Sequence, residues 1–111
     1  MNTTTVLRKG DTLPAYTSTL VEGPARTPLD LTGCTVRFHM RNTDAAAVLK
    51  INAAATIVSA AAGTVRYDWD TGDLSDVGTY HVEWQVTYLS GRILTAPTRG
   101  FDTIRVIDQL H

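Results

Sequence analysis

The chain has 111 residues, with 10 Lys and Arg against 11 Asp and Glu and a formal net charge of −1. That is enough chain for one domain with a sizeable core. An apolar fraction of 43% with 19% charged residues excludes a disordered tail. The near-zero net charge excludes a global field drawing in nucleic acid or an anionic membrane.

The finer composition narrows the fold class. There are 18 Thr, 10 Val and 5 Ile, all β-branched and suited to a pleated, half-buried surface. Glu and Lys, the usual helix-surface residues, occur twice each, and 9 Asp and 8 Arg carry the charge instead. Asp favours turns and caps over helix interiors. An all-β domain is expected, and bundles, coiled coils and repeated βαβ units are disfavoured.

In chain order, residues 1–5 read as a flexible polar arm and 6–108 as a single domain. Residues 4–8 also carry the pattern of a short strand. Residues 13–21 predict a second strand, with Pro14 placing its start at an edge. Residues 22–33, with two Pro and two Gly, predict a loop. Residues 34–41 alternate, setting Cys34, Val36, Phe38 and Met40 inward against Thr35, Arg37, His39 and Arg41. The stretch 44–62 is ambiguous: 44–50 has helix propensity, but the punctuation favours strands at about 47–52 and 55–60. Residues 64–69 predict a strand with Val65, Tyr67 and Trp69 inward. A turn follows from Asp70 to Gly78, with room for one helical turn at Leu74. Residues 79–89 give the strongest alternation, with Tyr80, Val82, Trp84, Val86 and Tyr88 inward. Ser90-Gly91 predicts a hairpin into 92–95, and 101–107 closes the fold. Eight or nine short, mostly antiparallel strands make a β-sandwich the natural solution.

Asp76-Val77-Gly78-Thr79-Tyr80 has the D-x-G-x-Y pattern of an immunoglobulin-like tyrosine corner. Val82 stands where antibody domains carry their second cysteine. The single cysteine, Cys34, cannot form an internal disulfide, so packing alone must hold the sandwich together. The N-terminus lacks the charged and apolar regions of a signal peptide, and no apolar run approaches the ~18 residues of a membrane span. Synthesis in a reducing host cytoplasm is expected.

Four segments in order carry a family resemblance: Gly10-Asp11-Thr12-Leu13-Pro14; Leu29-Asp30-Leu31-Thr32-Gly33 running into Val36, Phe38 and Arg41; Gly63 to Trp69; and Gly78-Thr79-Tyr80 with Glu83-Trp84, Ser90-Gly91-Arg92, Thr95 and Pro97. Together they resemble the N-terminal domain of the tailed-phage baseplate upper protein family, over about residues 6–107. The resemblance implies an immunoglobulin-like sandwich that docks onto the virion. The chain length is expected to leave a stand-alone virion domain without the family's receptor-holding parts.

Catalytic and metal sites are not expected, nor is a cofactor. His39 and His81 fall at outward strand positions, and His111 is the last residue. His39 and Glu83 could meet as a cross-strand surface pair. Asp68, Asp70, Asp73 and Asp76 share one region but lack EF-hand spacing and read as turn formers. Cys34 reads as a small core hydrophobe. Arg37, Arg41, Arg66, Arg92, Arg99 and Arg105 are the candidate interface, because the planar guanidinium makes bidentate contacts and stacks on aromatics. Docking through edges is expected, with residues 4–8, 13–21 and 92–95 as candidates. The expected partners are other virion proteins, of the tail or baseplate or the major capsid protein, met through symmetric presentation of several copies. Two alternatives stand beside the tail or baseplate role: a capsid decoration protein, and a carbohydrate-binding adhesion module.

Overall fold

The fold was obtained as a computed structural model, which describes residues 4–22, 25–43, 49–97 and 102–108. Among the described residues there are eleven strands and no helix: β1 (Thr4–Arg8), β2 (Tyr16–Thr19), β3 (Val21–Glu22), β4 (Thr27–Pro28), β5 (Thr35–Asn42), β6 (Leu49–Ala54), β7 (Thr56–Ser59), β8 (Thr64–Tyr67), β9 (Gly78–Thr87), β10 (Ile93–Ala96) and β11 (Asp102–Ile107). They form a large sheet in the order β1-β11-β9-β5-β6, with β10 also on β9, a three-stranded sheet β2-β8-β7, and a ribbon β3-β4.

This order is that of an all-β sandwich, as expected. One layer is built on β5, β9 and the β10/β11 line with β6 at its side, and the other on β2, β8 and β7. β9 is the backbone of the large sheet. One side pairs with β5 from Thr35↔Thr87 to Asn42↔Tyr80. Its other side is shared between β10, on Trp84 to Thr87, and β11, on Gly78 to Val82. β1 runs parallel to β11, and the other strand pairs are antiparallel. The chain crosses between sheets at Ala55, whose N–H donates to the Val36 carbonyl at 2.9 Å before β7 begins.

Several sequence expectations need correction. The strand at 13–21 starts only at Tyr16 and is interrupted at Leu20, which bonds instead to Gly63 and Leu29. The loop at 22–33 contains three of the four residues of the β3–β4 ribbon, a pairing of two residues per strand that composition does not announce. The turn near Leu74 stays a turn, with Leu74 buried as its anchor. β1 already includes Thr4 and Thr5 of the expected arm. The helix alternative at 44–50 falls mostly outside the described residues.

The core lies between the two main sheets. Val36, Phe38, Met40, Val65, Tyr67, Trp69, Val82, Trp84 and Val86 are all buried in it. Its centre is aromatic: Tyr16 stacks on Trp84 with rings 5.8 Å apart, and Phe38 stacks on Tyr67 at 4.7 Å. Trp69 meets Phe38 and Tyr67 edge-on, and its indole N–H reaches the Pro14 carbonyl at 3.1 Å. This cluster bridges the two sheets without a disulfide. The Trp84 indole N–H is buried with no partner among the described residues. Such an orphan donor costs about 1–3 kcal/mol, which the burial of a large ring offsets.

Gly63 is required by geometry. It sits at φ +70°, and a Cβ there would lie 2.7 Å from the Leu29 carbonyl oxygen and 2.8 Å from that of Leu20. The β7–β8 turn is therefore pressed against the loop after β2, with Leu20 N–H donating to the Gly63 carbonyl.

Candidate functional site

At the start of β9, the Tyr80 hydroxyl donates to the Asp76 carbonyl at 2.8 Å. The ring is buried, and a Cβ added at Gly78 would lie 3.8 Å from it. Burial, then the nearby Asp76 carboxylate, pushes the Tyr80 hydroxyl above its ordinary pKa, opposed by a hydrogen bond with Asn42. The bond fixes the loop before β9 to the strand it enters. This geometry is structural, not chemical.

The loop aspartates have local partners. Asp73 Oδ2 accepts from the Tyr67 hydroxyl at 2.6 Å and from the Asp70 N–H at 2.8 Å. Burial and that carboxylate push the Tyr67 hydroxyl well up. Asp68 pairs with Arg66 at 3.0 Å, and Asp76 with Lys50 at 3.4 Å. No group of three or more His, Cys, Asp or Glu able to hold a metal ion occurs among the described residues. His39 and Glu83 stand opposite each other on β5 and β9 with Nδ1 and Oε1 3.6 Å apart. Cys34 precedes β5 and does not begin it. It is half-buried, and burial raises its thiol pKa, so it is a poor nucleophile. His111 lies outside the described residues.

The six arginines do not form one patch. Arg37 and Arg41 on β5 and Arg105 on β11 alternate with buried residues, so they point from the outer face of the large sheet. Arg66 points from the opposite sheet. Arg92 is exposed in the turn between β9 and β10, and Arg99 lies outside the described residues. Arg37 is tied to the neighbouring strand. Its Nε donates to Asn52 Oδ1 at 2.9 Å and its Nη2 to the Asn52 carbonyl at 2.8 Å, across β5 and β6.

Of the expected edges, β1 borders the large sheet and β2 the small one. Among the described residues no strand covers the outer side of β10, because β1 pairs only with β11. β6 and β7 are further edges that sequence reasoning missed, since edge position depends on pairing and not on local pattern. It also missed Leu89 and Ile93, exposed at the two ends of the β9–β10 turn. The signal was there for Leu89, which takes an outward position after inward Tyr88.

Residues 25–103 match the BppU N-terminal domain. The chain belongs to this family. A BppU N-terminal domain is a phage baseplate domain, and well over half of the chain lies within the match. No curated protein matches. Among solved structures, CopC from Methylosinus trichosporium OB3b has a similar fold, with a TM-score of 0.54 at 14% identity over 99% of this chain and 89% of that one. At that identity the likeness concerns the fold alone. No helix among the described residues is long and apolar enough to cross a membrane.

Proposed function

We propose that this BppU-type domain is a non-catalytic structural protein of the phage tail or baseplate, which docks onto other virion proteins through its strand edges and loops. The family match over residues 25–103 carries this reading. The side chains support it. The loop aspartates named above are engaged locally, and the described arginines stand on strands or in a tight turn, where a rigid sandwich presents them to a partner. Repeated presentation around a symmetric particle would multiply a modest single contact.

The carbohydrate-binding alternative lacks support in the aromatic rings. Tyr16, Phe38, Tyr67, Trp69, Tyr80 and Trp84 are all buried, and Tyr88 is half-buried, so the described rings offer no open stacking platform. Copy number separates tail from head. Quantitative mass spectrometry of purified particles is expected to find a few to some tens of copies; hundreds would mean decoration of the capsid shell and overturn the tail reading.

A further inference from the structure

We infer that the open edge of β10 is the docking edge, and that its occupant is an extended segment of a partner protein which adds as a strand beside Ile93–Ala96. The inference rests on the docking reading above and names the surface that does the docking.

The hydrogen-bond alternation fixes which groups are free. Tyr88 N–H donates to the Arg92 carbonyl at 2.9 Å, so Tyr88 and Arg92 form a bonded pair at the turn. In an antiparallel ladder every second pair is bonded, which makes Leu94/Val86 and Ala96/Trp84 the next two. The N–H and C=O groups of Ile93 and Thr95 therefore point away from β9. No strand among the described residues takes them, because β1 pairs with β11 from Thr103 onward and leaves β10 uncovered. Two donors and two acceptors at strand spacing are complementary to another strand's backbone.

The other edges are blunted in the ways that discourage strand addition. β1 ends in Arg8, β6 carries Lys50, and β7 has an irregular register between Ile57 and Ser59. β2 is uncharged, but its exposed positions are polar Thr17 and Thr19. The sequence of β10, Ile-Leu-Thr-Ala, has neither charge nor proline. Leu89 is 87% exposed and Ile93 60% exposed beside it, a pair of apolar anchors next to the free backbone. Arg92 stands between them, exposed, with no carboxylate partner among the described residues. The partner segment should therefore alternate apolar residues toward Ile93 and Leu89 and carry a carboxylate toward Arg92.

The test uses the full chain added to phage particles assembled without it. Thr95→Pro removes one outward N–H and leaves the ladder to β9 intact, as proline is tolerated at such a position. Ile93→Lys places a charge on the edge, and Val6→Lys on β1 is the control. The expected result is that wild type and Val6→Lys bind, Thr95→Pro and Ile93→Lys bind at least tenfold more weakly, and all unfold at similar temperatures. Should Thr95→Pro fold poorly, amide hydrogen exchange of the bound wild type replaces it: the Ile93 and Thr95 amides should become protected. Wild-type affinity in both edge variants, or unchanged exchange, overturns the edge assignment. Failure of the wild type itself to bind overturns the docking reading instead. A wild-type dimer in sedimentation that Thr95→Pro dissolves would make the occupant a second copy and overturn the partner assignment.

Discussion

Tyr80→Phe removes one oxygen atom from the centre of the fold. The ring is 1% exposed, so its packing stays the same and no cavity opens. What disappears is the 2.8 Å bond to the Asp76 carbonyl, together with the Asn42 contact to the same hydroxyl. A neutral hydrogen bond contributes about 1 kcal/mol net, and a partner left unsatisfied raises the loss to about 1–3 kcal/mol. Asp76 is exposed, so water can reach its carbonyl, whereas Asn42 is half-buried and is hydrated less readily. The expected loss is therefore about 1–2 kcal/mol, or a melting temperature lower by roughly 5–10 °C for a domain of this size. Urea denaturation followed by tryptophan fluorescence measures it directly, with an unchanged m-value. A loss below about 0.5 kcal/mol would refute the claim that the corner ties the loop to β9.

Other positions give equally definite expectations. Gly63→Ala should cost more than Tyr80→Phe, about 2–4 kcal/mol, because the new Cβ meets two carbonyl oxygens at 2.7 and 2.8 Å in a positive-φ turn; a near-wild-type melting curve would contradict it. Arg66→Ala should change stability by less than about 0.5 kcal/mol, since its pair with Asp68 is largely solvent-exposed, and a thermal melt checks this. Burial holds the Tyr67 and Tyr80 protons more tightly in the folded state than in the unfolded chain. Their contribution to stability is therefore complete below the unfolded value near pH 10 and is lost as the pH rises above it. Urea midpoints should hold up to about pH 10 on this account and fall as the pH rises above it, with part of the tyrosinate absorbance appearing only on unfolding.

The strands with one buried face were legible in the sequence. Val36, Phe38 and Met40, and Tyr80 to Val86, follow the period of two because one side of each strand meets the other sheet. The tyrosine-corner contact was also readable, since its parts lie within five residues. What escaped was set by distant pairing. The β3–β4 ribbon is two residues long, and the β10/β11 break is defined only by what lies across β9. The arginines read as one group because they share a residue type. Their separation depends on which sheet each strand joins, with Arg66 on one side of the sandwich and Arg37, Arg41 and Arg105 on the other. The open edge at Ile93 and Thr95 needed both the register and the reach of β1.

Electron microscopy of whole particles, with antibody against this chain or as an averaged map, would locate the domain on the virion. The domain should lie at the tail or baseplate, with β10 beside a strand of a neighbouring virion protein. Density on the capsid shell, or particles that carry none of the chain, would contradict it.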